Sequence, residues 1–221
     1  GLVLEDLLPQ TYFTAVKQHQ LKPICEPKIT AIKTAEGIDW TFKATACEAP
    51  EVKLGDYEKA IKGLKAKGKI WLPGQDKTST KKEKNEDEEL KEIFQVLLKE
   101  CQLSLPGLLI EEEEKRMLAK LLNQTQKLGL TLDEYCAGNH KTIQQLKTEY
   151  RQLADETLKL EFVLQAIAAE KALEVKDQEI TDLIAAVPDE KTRENLATPL
   201  QKAYLKTLLK KRKAIDFLLK L

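Results

Sequence analysis

Apolar residues recur at every third or fourth position over most of this 221-residue chain, a spacing that predicts α-helices. The first such segment covers residues 2–21, with Pro9 as a weak point, and Pro23 ends it. Two more helices are predicted at residues 89–103 and 107–128, separated by a break that contains a proline. We therefore expect a mainly helical protein.

The longest predicted helix covers residues 140–172 and carries two apolar patterns. From Leu158 to Ile167, apolar side chains point almost all the way round the helix axis, so this part must be covered on several sides. Along the whole helix, apolar residues also alternate steps of three and four, as in a heptad seam. The seam consists of Ile143, Leu146, Tyr150, Leu153, Thr157, Leu160, Leu164 and Ile167.

Shorter helices are predicted on either side of the long one. Thr131 caps the segment TLDEYC, with Glu134 in capping-box register. Residues 176–186 are predicted as a short helix, Pro188 is a break, and a final helix begins at residue 189 or 199 and ends at residue 219. Long helices with short connections predict two antiparallel helical hairpins.

A different pattern occupies residues 28–48. Ile38, Trp40 and Phe42 alternate with polar residues, and this period of two predicts a β-strand. Together with the preceding run KITAIKT, the strand predicts a β-hairpin. One helix and one hairpin cannot bury much surface alone, so we assign residues 1–65 to a small α+β domain.

Composition separates this small domain from the helical remainder of the chain. Residues 66–88 are polar, lysine-rich and then acidic, which predicts a linker with residues 73–87 disordered or extended. Residues 89–221 form the predicted helical domain. The expected fold class is mainly α: an elongated helical body with helical-hairpin arms, plus a small α+β domain that contains a β-hairpin.

Charge and cysteine content restrict the functional classes. Lys and Arg number 36 and Asp and Glu number 36, so no net charge attracts nucleic acid or an anionic membrane. No run of 18 apolar residues occurs, and we expect no membrane partner. The four cysteines are widely spaced, and we interpret them as reduced, mostly buried thiols of a cytoplasmic protein: Cys25, Cys47, Cys101 and Cys136.

Sequence motifs for catalysis or cofactor binding do not occur. The two histidines, His19 and His140, are far apart, and there is no phosphate-binding loop, nucleophile elbow or zinc-protease motif. The acidic run Glu111–Glu114 suits the first turns of a helix and faces water. We therefore expect no catalytic residues, no metal and no cofactor, and we do not expect an enzyme.

Three stretches, taken in order, resemble the trigger factor family of chaperones. LLKECQLSLPGLLIEEEEKRML resembles the helix, proline-containing turn and acidic helix of that family's C-terminal domain. LKLEFVLQAIAAEKALEVKDQEITDLI resembles its long arm helix and the short helix that follows. ATACEAPEVKLGDYE resembles the end of the family's N-terminal domain, and residues 1–21 resemble the last helix before that domain's hairpin.

Two parts of the family pattern do not occur in this sequence. The basic Gly-Phe-Arg-Lys-Gly loop that docks trigger factors on the ribosome would lie upstream of the opening helix. An FKBP-type prolyl isomerase domain has no room between Asp56 and Leu90. The resemblance therefore implies a chaperone body without an isomerase domain.

The resemblance implies an ATP-independent holdase that binds nascent or unfolded polypeptides through apolar patches of a helical cradle and assists folding. Its implied partners are those polypeptides and, if the upstream loop exists, the ribosome; a homodimer is left open. Apolar residues near helix ends have fewer neighbours than mid-helix residues, so exposure is expected first at the arm tips. The candidates for the client-binding surface are Leu108, Leu109, Met117, Leu121, Phe162, Leu183, Ile184 and Val187.

Two other functions stay open at this point. A structural adaptor would use the heptad seam to recruit one specific partner helix, whereas a holdase would protect several unrelated clients. An exported chaperone of the SurA type would need a signal peptide upstream, and four unpaired cysteines argue against export.

Overall fold

The computed structural model describes residues 2–34, 39–68 and 86–221. Helices dominate this part of the chain and a single β-hairpin accompanies them, which confirms the mainly α fold class with a small β part. The helices are α1 (Leu2–Gln18), α2 (Tyr57–Gly68), α3 (Glu86–Glu100), α4 (Gly107–Lys127), α5 (Leu132–Gly138), α6 (Ile143–Glu170), α7 (Asp177–Ala185), α8 (Glu190–Leu196) and α9 (Pro199–Lys220). The strands are β1 (Lys28–Lys33) and β2 (Thr41–Thr45).

The helices with the strongest apolar period lie close to their predicted positions. α4 ends at Lys127, one residue before the predicted end, and α6 lies within the predicted long helix. The N-terminus of α5 has the predicted capping box: the Glu134 amide donates to the Thr131 hydroxyl (3.2 Å), and the Thr131 amide donates to the Glu134 carboxylate (2.7 Å). The Thr131 amide and the Thr131 hydroxyl, which also donates to the Glu134 carboxylate (2.8 Å), hold the pKa of Glu134 below its ordinary value.

Both ends of the predicted linker are helical. α2 extends to Gly68, a helix that the pattern of its sequence, YEKAIKGLKAKG, does not predict. α3 begins at Glu86, earlier than predicted, because its acidic first turn interacts favourably with the helix dipole. Residues 86 and 87 are therefore ordered, and the rest of the segment predicted as disordered, 73–85, lies outside the described residues.

The β-hairpin is confirmed as an antiparallel pair. Its register runs from Lys28 opposite Thr45 to Lys33 opposite Thr41, with an irregularity between Ala31 and Lys33. Because residues opposite each other share a face, one side of the hairpin is apolar and the other is polar and basic. The apolar face consists of Ile29, Ala31, Phe42 and Ala44, and the polar face of Lys28, Thr30, Lys43 and Thr45.

The cysteines differ from the prediction that all four are reduced. Cys25 and Cys47 form a disulfide, with their Cα atoms 6.3 Å apart, whereas Cys101 and Cys136 are free and buried. The prediction is wrong for the first pair because the hairpin brings together two residues that are 22 positions apart in sequence. Spacing alone could not reveal this contact.

Contacts divide the chain into two compact units that alternate along the sequence. The first unit contains Gly1–Glu51 and Ser104–Leu158, and the second contains Val52–Leu103 and Lys159–Leu221. Helix α6 contributes residues to both units. The predicted domain boundaries after residues 65 and 88 stay a prediction.

The second unit has the larger core, and the C-terminal half of α6 lies within it. Val163 and Ile167 of α6 are almost completely buried, as are core residues from three other helices. This burial explains why apolar residues surround the helix axis in this part of the sequence. The other fully buried members of the core are Ile61 of α2, Ile93 and Leu97 of α3, and Ala214 and Leu218 of α9.

Two smaller cores complete the packing. In the second unit, α7 and α9 meet through Ile180, Ile184, Leu205 and Leu209, with Val175 beside them. In the first unit, a separate core brings α4, α5 and α6 together through Leu121, Cys136 and Leu146. Each of these two groups of helices therefore has its own small apolar core.

Candidate functional site

An exposed apolar stripe runs along the N-terminal half of α9. Leu200, Tyr204 and Leu208 follow one another at intervals of four residues, and they are 79%, 61% and 45% exposed. A shallow hollow of about 560 Å³ lies over this stripe, lined by Leu200, Gln201, Ala203, Tyr204 and Thr207. The lining has no charged residue, so the surface is suited to neutral, apolar groups.

The stripe is exposed because α9 has two apolar faces and its packing uses only one of them in this half of the helix. Leu205 and Leu209 are buried against α7, and the centre of their face lies about 120° round the helix axis from the centre of the stripe. An ordinary surface helix has one apolar stripe, which faces its core. The second stripe of α9 is therefore available for a partner.

A groove between α4 and α6 in the first unit is a second candidate surface. Its volume is about 400 Å³, and its apolar lining comes from Met117, Leu121, Tyr150 and Leu153. Leu153 is exposed and Met117 is half-buried, so the groove is open to solvent. Burial raises the pKa of the Tyr150 hydroxyl, with smaller contributions from Tyr135 and Glu149.

Two of the three charged residues that line this groove, Glu113 and Arg116, are paired with each other. Arg116 donates two hydrogen bonds to the Glu113 carboxylate, from Nε to Oε2 (2.8 Å) and from Nη2 to Oε1 (2.6 Å). Glu114 lies 3.6 Å from Arg151, which links α4 to α6. The charges of Glu113 and Arg116 offset each other, and Lys120 leaves the lining of the groove with a slight positive charge beside its apolar residues.

Another hollow, of about 530 Å³, lies on a neighbouring face of α4 and shares Glu113 and Arg116 with the groove. Leu109 and Leu158 contribute its apolar lining, and Glu26 borders it from the segment before β1. The remaining lining residues are polar or small: Glu112, Glu113, Lys115, Arg116 and Ala119. Of the predicted residues, Leu109 thus lies in this hollow, and Met117 and Leu121 line the groove.

The eight predicted client-binding residues differ in exposure. Leu183 is exposed, and Leu108, Leu109, Met117, Phe162 and Val187 are partly buried. Leu121 and Ile184 are buried in the small cores of their units, so the expectation of an exposed surface is wrong for these two. Ile184 is buried because α7 turns this residue towards α9 and leaves its neighbour Leu183 facing solvent.

Sequence reasoning missed the α9 stripe, although the sequence contains a signal for it. Leu200, Tyr204 and Leu208 share one helix face, while Leu205 and Leu209 share another. Two apolar faces on one amphipathic helix predict either burial on both sides or one unpartnered face. The sequence alone does not say which face packs.

The heptad seam is divided between buried and exposed positions. Leu146, Leu164 and Ile167 are buried in the cores, whereas Ile143 and Leu153 are exposed. A partner helix would need most of the seam to be accessible at once. The seam therefore serves mainly to pack α6 within the protein.

Ion pairs in the second unit serve packing. The Lys171 ammonium contacts the carboxylates of Glu170 and Glu58 and lies 5.7 Å from the centre of the Phe217 ring. These carboxylates, Glu170 first, raise the pKa of Lys171, so it stays charged.

Over the described residues, no group of three or more His, Cys, Asp or Glu side chains is arranged to hold a metal ion. None of the described helices is long and apolar enough to cross a membrane.

Two matches together cover nearly the whole chain. Residues 75–220 match the family described as "Bacterial trigger factor protein (TF) C-terminus", and residues 1–70 match "Bacterial trigger factor protein (TF)". The chain belongs to the trigger factor family. This confirms the resemblance read from the sequence.

Curated relatives align with only part of this trigger factor family member. The trigger factor of Streptococcus suis (strain 05ZYH33) is 39% identical over 64 residues, which are 29% of this chain and 15% of that protein. The trigger factor of Staphylococcus aureus (strain JH9) is 38% identical over 55 residues, 25% of this chain and 13% of that protein. The chain thus spans about a seventh of the length of these relatives. No solved structure matches it.

The two family segments are nearly adjacent in this chain. The first match ends at residue 70 and the second begins at residue 75, so no middle isomerase domain separates them. The hairpin and its disulfide lie in the first segment, and the α9 stripe and the α4–α6 groove lie in the second. The candidate surfaces therefore belong to the part that matches the trigger factor C-terminus.

Proposed function

We propose that this trigger factor family member is an ATP-independent chaperone that holds nascent or unfolded polypeptides through exposed apolar surfaces and so assists their folding. The observation that carries the proposal is the α9 stripe of Leu200, Tyr204 and Leu208. Contiguous exposed apolar patches on soluble proteins mark sites of interaction. Membership of the trigger factor family supports a polypeptide as the partner.

The chemistry of the stripe suits an unfolded segment better than a folded ligand. The hollow over it is shallow and neutral, so it offers apolar contact without a fixed set of polar partners. Such a surface accepts many sequences, because dispersion and burial do not require one geometry. Tyr204 adds a large aromatic surface with a polar end, a combination that is frequent at protein interfaces.

The α4–α6 groove is the second part of the proposed client-binding surface. Met117 lies in this groove, and a flexible thioether side chain adapts to partners of different shape. Leu109 contributes from the adjoining hollow on a neighbouring face of α4. Leu108, Phe162, Leu183 and Val187 stay candidates because each keeps some exposed surface.

The remaining functional assignments rest on the family. We propose that the protein acts without catalysis, and that it acts in the cytoplasm, where its partners are nascent chains. The ribosome is a further partner if the docking loop exists upstream of the segment that matches the trigger factor N-terminus. A homodimer stays open.

Suppression of client aggregation tests the proposal. We expect the chain to reduce light scattering from at least two unrelated, chemically unfolded proteins without added nucleotide. The triple variant Leu200→Ser, Tyr204→Ser and Leu208→Ser should lose most of this protection. Its thermal unfolding should change little, since exposed positions contribute less than about 0.5 kcal/mol each.

A matched control removes three exposed leucines from the other unit. Leu122, Leu128 and Leu130 are also exposed, so their replacement by Ser removes a comparable apolar area. Protection should be largely retained in this control. Equal loss in both triple variants would mean that general hydrophobicity, and not the α9 stripe, holds clients. Full protection by the α9 variant would also refute the assignment.

Two other functions are distinguished by different observations. An adaptor would protect one partner and fail with unrelated clients. An exported chaperone is favoured by one observation, the Cys25–Cys47 disulfide, because structural disulfides persist in oxidising compartments. Fractionation of cells that produce the natural protein would distinguish export from cytoplasmic action.

A further inference from the structure

The β-hairpin has little packing to hold it in place. Over the described residues, β1 and β2 form a sheet of only two strands, and such a sheet is at best marginally stable alone. Every residue of β1 is exposed, including Ile29 and Ala31 of the apolar face. The side chains of the hairpin therefore bury too little surface to fix its position.

The noncovalent contacts outside the strands are also weak. Lys28 lies 3.3 Å from Glu111 of α4, but both side chains are exposed, and such ion pairs contribute about 0–1 kcal/mol. At the base of the hairpin, the Ile24 amide donates to the Cys47 carbonyl at 3.0 Å, Pro23 pairs with Glu48, and the Lys22 amide donates to the solvent-exposed Glu48 carboxylate at 2.6 Å. These contacts depend on the two ends of the hairpin staying together.

The Cys25–Cys47 disulfide supplies that constraint. Cys25 precedes β1 and Cys47 follows β2, so the bond closes a loop that contains the whole hairpin. Cys25 is partly exposed, whereas Cys47 is buried. Of the two cysteines, Cys25 is therefore the more accessible to a soluble thiol.

We propose that Cys25 and Cys47 form a redox-operated clamp: the hairpin is ordered when they are disulfide-bonded and opens when they are reduced. The clamp also positions Glu26, which borders the hollow beside Leu109 on α4. Reduction therefore frees Glu26 from the edge of that hollow when the hairpin opens. The free thiols Cys101 and Cys136 are buried elsewhere and do not take part.

The chemical step is thiol–disulfide exchange with a small dithiol as reductant. A thiolate of the dithiol attacks the Cys25 sulfur, the sulfur–sulfur bond breaks, and Cys47 leaves as a thiolate that takes up a proton. The second thiolate of the reagent then attacks the mixed disulfide, releases Cys25 and closes the reagent's own disulfide. Two electrons and two protons pass to the protein, and glutathione disulfide reverses the step by exchange.

The expected effect on the hairpin is large. A cross-link that closes a loop of this size removes enough chain entropy to change an opening equilibrium by roughly a hundredfold. The cores of the second unit contain no part of the loop, so their stability should not change. The response is therefore expected to be local.

Hydrogen–deuterium exchange of the full chain, with and without a small dithiol, tests the clamp. Amides of β1 and β2 should exchange roughly a hundredfold faster after reduction, while those around Ile167 of α6 and Leu218 of α9 keep their rates. Addition of glutathione disulfide should restore slow exchange in the hairpin. Intact mass after alkylation should show two free thiols before reduction and four after it.

Two double variants separate the clamp from other effects of the reductant. Cys25→Ala with Cys47→Ala should exchange fast in the hairpin whether or not dithiol is present. Cys101→Ala with Cys136→Ala keeps the clamp and should respond to dithiol as the natural sequence does. Equal hairpin exchange in the oxidised and reduced chains would overturn the proposal, as would four free thiols in protein incubated with glutathione disulfide.

Discussion

Gly55 lies directly against the backbone carbonyl of Glu100: a Cβ atom placed on Gly55 would come within 2.6 Å of that oxygen. The contact joins the turn before α2 to the C-terminal end of α3. Beside it, Lys53 and Gln102 exchange two backbone hydrogen bonds, at 2.9 and 2.8 Å. Gly55 also has a backbone φ of 59°, a conformation that residues other than glycine rarely adopt.

Replacement of Gly55 by Ala should therefore destabilise the second unit. The variant combines a left-handed backbone conformation with a clash against a backbone atom that cannot move aside. We expect the free energy of unfolding to fall by about 1–3 kcal/mol. Chemical denaturation followed by circular dichroism measures the change.

Gly63 provides the matched control for this experiment. It lies inside α2, and a Cβ added there meets nothing within 4 Å. Gly63→Ala should raise stability by about 0.5–1 kcal/mol, because alanine is the better helix former. If both variants were equally stable, the contact at Gly55 would not constrain the turn.

Adjacent residues of α7 give a second prediction. Ile184 is 9% exposed and belongs to the core with α9, whereas its neighbour Leu183 is 36% exposed. Ile184→Ala should cost about 2–5 kcal/mol, and Leu183→Ala about 1 kcal/mol or less. Thermal unfolding of both variants makes the comparison. A reversed order would mean that α7 faces α9 through the other residue.

The contrast between these two residues indicates what the sequence could predict. Helices α4, α5 and α6 were predicted because their signals are local: an apolar period, a capping box and a proline break. Which side of a short helix packs depends on a partner that is distant in sequence. Ile184 and Leu183 are both apolar, so their neighbours in the sequence do not distinguish core from surface.

Helix α2 and the disulfide were missed for a related reason. The sequence of α2 contains four lysines and two glycines, and its helix is stabilised by the burial of Tyr57 and Ile61 in the core. Cys25 and Cys47 meet only after β1 and β2 have paired. In both places tertiary contacts determine the structure, and local propensity predicts neither the helix nor the disulfide.

Absence of prolyl isomerase activity is the third prediction. The two matched family segments leave only residues 71–74 between them, so the chain has no middle isomerase domain. In a protease-coupled assay, a proline-containing peptide should isomerise at the uncatalysed rate, over tens to hundreds of seconds. An added FKBP-type isomerase serves as the positive control. Clear acceleration by this chain alone would contradict the prediction.

The last prediction concerns the buried thiol of Cys101 at high pH. Its Sγ donates to the Leu54 carbonyl at 3.2 Å, and burial, aided by the charge of Glu100, raises the pKa of the thiol from 9.0 to about 11. The folded state thus favours the neutral thiol. Its stabilising contribution is complete below pH 9 and is lost as the pH rises from 9 to 11.

Two variants isolate this contribution. In a background that lacks the other three cysteines, the chain with Cys101 should lose about 2–3 kcal/mol more stability between pH 8 and 11 than the chain with Cys101→Ala. Lysine and tyrosine titrations are common to both chains and cancel in the difference. Denaturant unfolding at several pH values measures it. Parallel curves for the two chains would mean that the thiol ionises at its ordinary pKa and is reached by water.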